Sequence, residues 1–416
     1  MASTPRKVVV VGAGMVGLAI AWHLARRGAT ITVIDPEAPG SQCSSGNAGA
    51  LSPGSVAPIA MPGILRNLPK MLFDRDNGVY LPPRYWWRVL PWLVAFLAQA
   101  RPDRVESIAA RHAPLLLPAL DRHREMAAEI GGSDLLRVVG QLHVYRNQAQ
   151  FDAAWKVWGL RERYGTEVRR LDHAGIAALE PELSPDYRHS VFLPGLGHLA
   201  DPLRYSALIA DSVTQQGGVL RRARVDALLA EKGRVTGVRQ GTEAVSADAV
   251  VVAAGAWSAR LLRPLGIRVP LETQRGYHVE LPPDSLGISR IVAPYDAKAF
   301  ITPMEQALRI AGTVEMAGLD APPSPHRTEA LMAGLVRAFP QLADRQPLRS
   351  WMGHRPCLPD SMPVIGPSAR FAGLWCGFGH GHLGITSAAV TGGVLASAML
   401  DERPALDLGP YALERF

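Results

Sequence analysis

Two hydrophobic patterns divide the chain. In the first, a continuous apolar run ends in glycine, small residues or an acid. Val8-Val9-Val10-Val11 leads into Gly12-Ala13-Gly14-Met15-Val16-Gly17, and Thr30-Ile31-Thr32-Val33-Ile34 ends at Asp35. Val250-Val251-Val252 leads into Ala253-Ala254-Gly255-Ala256-Trp257, and Leu374-Trp375-Cys376-Gly377-Phe378 meets Gly379-His380-Gly381. Such runs suit strands buried on both faces of a parallel sheet. Helix-like runs follow at 18–27 and 387–400, so the pattern predicts strand–turn–helix units. In the second pattern apolar and polar residues alternate: Gln141–Tyr145 reads as a strand, and 273–281 as a half-exposed one. Segments 298–304 and Leu308–Glu315 form a hairpin around Glu305-Gln306-Ala307, which predicts an antiparallel sheet separate from the parallel one.

Between these lie helices predicted at 107–130 (one long amphipathic helix spanning Pro114 and Pro118), 151–164, 172–180, 203–216 and 327–339. Asp201 and Pro202 supply an N-cap and first residue for the helix at 203–216. Strands are predicted at 190–193, 220–229 and 235–239, with a turn at Gly195-Leu196-Gly197. Residues 53–83 carry few periodic signals. His143 and His173 have no sequence neighbours to work with and are assigned to packing.

The opening unit has a chemistry. In G-x-G-x-x-G spacing, Gly12 permits the tight turn, Gly14 lets a pyrophosphate approach the backbone, and Gly17 lets helix and strand pack closely. The helix start at Met15 and Val16 presents N–H groups and positive dipole to phosphate. Asp35 stands 18 residues beyond Gly17, where a carboxylate can bind a ribose hydroxyl. An acid there argues against a 2′-phosphate, hence against NADP, and leaves NAD and FAD open. The next segment, 36–53, is small, hydroxylated and glycine-rich rather than helix and strand. Ser44, Ser45 and Asn47 can donate to phosphate or ring oxygens there, unless the segment is an ordinary surface loop.

Composition narrows the class. A chain of 416 residues, 48% hydrophobic, supports a large core and favours two domains. Its net charge of +7 is spread along the chain without a Lys/Arg run interleaved with aromatics, which argues against nucleic acid and is compatible with an anionic cofactor and with a membrane surface. Cys43, Cys357 and Cys376 show neither metal-ligand nor C-x-x-C spacing, so a reducing, cytoplasmic setting and no metal are expected. No secretory signal is expected before the first strand, and no stretch reaches the roughly 20 apolar residues of a membrane span. Segment 85–101, with Trp86, Trp87 and Trp92 between arginines, reads as a helix buried against the core in preference to one lying in a membrane interface.

With these motifs in this order, the chain resembles the FAD-dependent D-amino acid oxidase superfamily, and within it the bacterial D-amino acid dehydrogenases. Nearly the whole chain takes part: Gly12 to Gly17 with Asp35, Ser45-Gly46-Asn47-Ala48-Gly49, Ala253 to Ser258, Arg275-Gly276-Tyr277, Gly353-His354-Arg355-Pro356-Cys357-Leu358-Pro359-Asp360, and Gly379 to Thr386. From Gln274 onward it looks closest to D-hydroxyproline dehydrogenases.

The resemblance implies a Rossmann-like FAD-binding domain (1–80, 200–266, 346–416) interleaved with an antiparallel-sheet substrate domain (81–199, 267–345). It places FAD against Gly12, Gly14, Met15, Val16, Gly17, Asp35, Ser44, Ser45, Asn47, Ala48, Gly49, Leu51, Val225, Ala254, Gly255, Trp257 and Arg355. The turn Gly381, His382, Leu383, Gly384, Ile385 and Thr386 is aimed at the flavin ring. Arg355 is carried over as the substrate carboxylate's partner, Tyr277 as its hydrogen-bonding companion; the alternative is that Arg355 pairs with Asp360. Cys357 does not match the linking cysteine of covalent relatives, so noncovalent FAD is expected. The implied reaction passes a hydride from Cα of a D-amino or cyclic imino acid to the flavin, and the electrons then to a quinone or other carrier. Gln274-Arg275 stands where many D-amino acid dehydrogenases have Leu-Lys, which leaves an oxygen-using glycine- or sarcosine-type oxidase open, as well as a noncatalytic flavoprotein subunit. Peripheral contact with the inner face of the cytoplasmic membrane is the alternative to a freely cytoplasmic protein.

Overall fold

The structure, a computed structural model, describes residues 7–64, 78–283 and 286–416. Its first layer is a six-stranded sheet in the order Val219–Arg222, Thr30–Asp35, Lys7–Val11, Ala249–Val252, Leu374–Phe378 and Val364–Pro367. The first five are parallel and the last runs antiparallel. Side chains alternate across a strand, and the valine run shows why it is apolar throughout. Val8 and Val10 enter one core with the helices Met15–Ala25, Pro202–Gln215 and Gly384–Met399, while Val9 and Val11 enter another with Val225, Val238 and Leu262. Small residues let the last helix press onto the first: a Cβ on Gly392 would lie 2.7 Å from the backbone of Ala19. Contrary to the sequence expectation, one helix, Gly381–Met399, is long and apolar enough to cross a membrane, but most of it is buried in this core.

The second layer is a nine-stranded, mainly antiparallel sheet. Its path runs Arg349–Cys357, Glu272–Leu281, Leu308–Glu315, Ala299–Pro303, Ile291–Pro294, Gln141–Tyr145, His189–Leu193 and Arg169–Leu171, with Val79–Tyr80 beside Leu308–Glu315. The architecture is therefore α/β with an interleaved antiparallel sheet. Arg349–Cys357 belongs to this second sheet, so the chain crosses back to the first layer after Cys357, later than the expected boundary at 346.

Four expectations need correction. Thr273 to Leu281 are all buried, because helix Pro325–Ala338 covers one face of that strand and the segment around Gly46 the other. The helix predicted at 107–130 is two, Pro102–Leu116 and Ala119–Ile130, broken at Pro118, which lacks the N–H a helix interior needs. The run 220–229 divides between two sheets: Val219–Arg222 joins the parallel one, and Ala227–Glu231 pairs antiparallel with Arg234–Gln240. Helix Trp86–Leu97 is buried only along Val89, Trp92 and Phe96; Trp86, Trp87, Leu90 and Val94 are exposed. Of the signal-poor stretch 53–83, residues 65–77 lie outside the described residues.

Candidate active site

The glycine turn is shaped by contacts that tolerate no side chain. Gly12 has φ +113°, and a Cβ there would lie 2.4 Å from the Ala253 carbonyl oxygen; one on Gly17 would lie 2.0 Å from that of Gly12. At Gly14, the residue before helix Met15–Ala25, the only neighbour a Cβ would meet is Ser44 Oγ at 3.6 Å, so this side of the turn is open to a ligand. First-turn N–H groups, Val16 and Gly17 among them, have no partner within a helix. Asp35 accepts the Ala13 N–H at 2.7 Å and the Glu37 N–H at 2.8 Å, and burial pushes its carboxyl up. Val225 lies buried beyond it, packed with Val9, Val11 and Ile34. Ala254 and Gly255 close the next strand, Gly255 at φ +52° with open space beside it. This cradle fits an extended dinucleotide: glycine where phosphate must approach, an acid at the neighbouring strand end, and small residues opposite.

The segment after Asp35 is held by the second sheet through its carbonyls. Arg309 Nη1 donates to the carbonyls of Ser45 (2.7 Å) and Asn47, Thr302 Oγ1 donates to that of Ala48 (2.9 Å), and His278 Nδ1 lies 3.0 Å from that of Gly46. Glu280 binds both Arg309 and Arg349, fixing the clamp. Trp351 stacks on His278 and leaves no room for a side chain on Gly46, where a Cβ would lie 2.0 Å away. Gly49 at φ +74° turns against the Leu199 carbonyl. The expected donors are partly spent inside the protein. Ser45 gives its hydroxyl to the carbonyls of Ser41 and Gln42, Ser44 accepts the Met15 N–H at 2.9 Å, and Asn47 Oδ1 accepts the Gly49 N–H. Leu51 has its side chain wholly in the core. Sequence reasoning missed His278, Glu280, Thr302 and Arg309. The available signal was polar residues recurring at every second position, 278 with 280 and, across the hairpin, 302 with 309.

Gly381–Leu383 forms one tight turn before helix Gly384–Met399, whose positive end faces the interior. Thr386 ties this end down, donating to the Ala50 carbonyl and accepting the Ser52 N–H, and Ile385 gives its carbonyl to His123. His380 lies 3.1 Å from Thr391 Oγ1, and burial pushes it down to about 3. His382 is pushed down to about 4, by burial first and then by Arg355. Both are therefore uncharged near neutrality.

Arg355 stands in register with Gln274 on the adjacent strand and lies across Gly276, where a Cβ would come within 2.3 Å of its Cζ. Its Nη1 donates to the Thr313 carbonyl at 2.8 Å. Thr313 has φ +53°, rare for a β-branched residue, at a bulge that turns this carbonyl toward Arg355. No carboxylate pairs with Arg355 among the described residues, and burial pulls its guanidinium down. Asp360, the alternative partner, is bound by Arg415 at 2.8 Å. Cys43 and Cys357 are its electrostatic neighbours, and burial pushes the Cys357 thiol up to about 12.

Tyr277 is placed elsewhere. It follows Gly276 and so points to the opposite face, into the core under helix Pro325–Ala338. Its hydroxyl donates to Glu315 and accepts the Ser324 N–H. The expected Arg355–Tyr277 pairing is overturned by this alternation. On the Arg355 side stand instead Thr313 and, two strands on, Phe300, which shares its face with Thr302; His143 contacts Phe300 edge-on at 5.8 Å. Trp257 lies edge-on to His354 at 5.4 Å and joins the two layers. No group of three or more metal-ligating residues occurs among the described residues.

The family model described as DAO, FAD dependent oxidoreductase, matches residues 7–398. A D-amino-acid oxidase of Bradyrhizobium diazoefficiens is 36% identical over 99% of both chains. A D-amino acid dehydrogenase of Methylobacterium nodulans is 33% identical over 96% of both. Among solved structures, glycine oxidase from Geobacillus kaustophilus superposes with a TM-score of 0.79, covering 99% of this chain and 98% of the other, at 22% identity.

Proposed function

The chain belongs to the FAD dependent oxidoreductase family, and from that premise we propose that it oxidises the Cα–N bond of D-amino or cyclic imino acids and passes the electrons to a quinone or similar carrier rather than to NAD. The observation that carries this reading is Arg355: a half-buried guanidinium without a carboxylate partner among the described residues, laid flat over Gly276 near the Gly381–Leu383 turn. A planar fork in a low-dielectric setting matches a substrate carboxylate bidentately. FAD, when bound, supplies the two-electron acceptor. Gly12 to Gly17, Asp35, the clamped segment from Ser44 to Gly49, Ala254-Gly255-Trp257 and the Gly381 to Thr386 turn would hold it, with the parallel sheet as its platform and the nine-stranded sheet as the substrate's. His380 and His382, both pushed down to well below 6.5, add no positive charge beside Arg355 near neutrality. The buried, protonated thiol of Cys357 supports noncovalent attachment.

An anaerobic screen tests the reading: a panel of D-amino and cyclic imino acids should bleach the flavin of the purified protein. Stoichiometric hydrogen peroxide in air would move the reading to an oxidase, which the name of the Bradyrhizobium relative favours. No bleaching with any substrate would leave a noncatalytic flavoprotein subunit. We also propose a cytoplasmic protein touching the inner membrane face, supported by three free cysteines and by the exposed Trp86, Trp87, Leu90 and Val94 beside Arg88. Replacing Trp86 and Trp87 with Ser should move protein from membranes to the soluble fraction; unchanged partition would end that proposal.

A further inference from the structure

Among the described residues Arg161 is a second cation without an acid partner, half-buried with its Nε sealed from solvent. It sits in the last turn of helix Gln148–Arg163, with its guanidinium 4.6 Å over the ring of Trp158. Trp158 lies edge-on to His143 at 4.7 Å, and its Nε1 donates to Tyr145 at 2.7 Å. His143 in turn meets Phe300, so the helix end is laid against the Arg355 side of the nine-stranded sheet. Arg161 Nε is buried with no hydrogen-bond partner, as is His143 Nε2. Two residues on, the exposed Arg163 pairs with Glu106 at 2.9 Å, whereas among the described residues no acid pairs with Arg161. Partial burial pulls Arg161 down to about 10, with no acid nearby to offset it. Arg161 and Arg355 thus lie on one side of the nine-stranded sheet, Arg355 over Gly276 and Arg161 over Trp158, and both lower the His382 imidazole, Arg355 the more.

A partly desolvated guanidinium with no counter-charge has a cost in the free protein that an incoming anion can offset. Arg355 already accounts for one carboxylate. Trp158 covers one face of the Arg161 guanidinium, and an uncharged side chain on the substrate would leave the cation uncompensated.

We propose that Arg161 binds a second acidic group of the substrate, and that the protein acts on dicarboxylic amino or imino acids, Arg355 taking the α-carboxylate and Arg161 the distal one. This rests on the oxidation of Cα–N bonds argued above and names its substrate class.

The test compares D-glutamate and D-aspartate with D-norvaline, a neutral chain of similar length, on the flavin-loaded enzyme. The wild type should favour the better dicarboxylate at least 10-fold in kcat/KM, and Arg161→Met should lower that preference ratio roughly 100-fold, mainly through KM, with Arg161→Lys between. A binding readout needs no turnover. Malonate, succinate and glutarate should raise the unfolding temperature of the wild type more than acetate or butyrate does, and Arg161→Met should erase that difference. A wild type that prefers D-norvaline, or an Arg161→Met variant whose ratio and thermal response stay unchanged, overturns the inference and leaves the oxidation reading standing. Failure of every amino acid to bleach the flavin overturns both.

Discussion

Arg275 and Arg355 occupy neighbouring strands on opposite faces of one sheet, Arg275 fully and Arg355 partly buried, and they have opposite chemistry. Arg275, 1% exposed, donates to the Pro322 carbonyl at 2.6 Å and lies 3.4 Å from Glu315, which also holds the Tyr277 hydroxyl. Its charge is answered within the protein. Arg355 has backbone carbonyls and no acid among the described residues. What separates the structural arginine from the functional one is whether the counter-charge is already present. A buried pair is fixed at folding, whereas a buried cation offered only carbonyl dipoles keeps most of its interaction energy for a ligand.

The largest effect expected from breaking this contrast lies on the closed face. Glu315→Gln leaves Arg275 charged, buried and unpaired, and should cost about 3–5 kcal/mol of stability in denaturant unfolding. Substrate KM, measured on folded protein, should move little; a loss of substrate affinity with unchanged stability would reverse the roles of the two faces. Next comes Arg355→Lys, which keeps charge but loses the planar fork. It should cost about 2–4 kcal/mol in kcat/KM, roughly 30- to 1000-fold, with thermal stability near wild type. A substrate amine lacking its carboxylate should be a poor substrate for wild type and lose little further in the variant. Equal impairment on both, or unfolding, would make Arg355 structural like Arg275.

The pH response sharpens the comparison. His143, on the Arg355 side, is pushed down to about 3, by burial and then by Arg161. The unfolded chain takes up this proton near pH 6.5 and the folded one only near 3, so between those values the unfolded state binds more protons and stability falls as pH falls. By pH 5 the loss should be on the order of 2 kcal/mol from this group, and His143→Phe should unfold with correspondingly less acid sensitivity. Equal acid sensitivity in both proteins would show His143 to be charged already. The smallest effect belongs to Tyr277→Phe: about 1 kcal/mol of stability for one hydrogen bond, with kcat/KM within about twofold of wild type. A tenfold loss of kcat/KM would return Tyr277 to the substrate, where the sequence resemblance had put it.

The dinucleotide cradle was legible because its causes are local. A valine run, three glycines at fixed spacing and an acid at the next strand end constrain one another over less than thirty residues, and Gly12 and Gly17 are required by contacts within that unit or with the adjoining strand. The Asp201 cap on helix Pro202–Gln215 and the hairpin at Glu305 were legible for the same reason.

What stayed hidden was direction. In Glu272–Leu281 both faces are buried, so polar and apolar residues no longer mark outside and inside, and the period of two cannot say which residues meet the cofactor segment. Only the sheet's register with Arg349–Cys357 sets Gly276 beneath Arg355 and turns Tyr277 away. Likewise, nothing near Arg161 in sequence shows that it lacks an acid; that depends on Trp158, His143 and Phe300 converging from a helix and two strands. The sequence by itself determined which backbone units form and that one of them takes a dinucleotide, since backbone conformation and glycine sterics act over a few residues. The tertiary structure decided which arginines are answered and which are left for a ligand, because charge compensation acts through space between groups far apart in the chain, as Arg27 and Glu402 are.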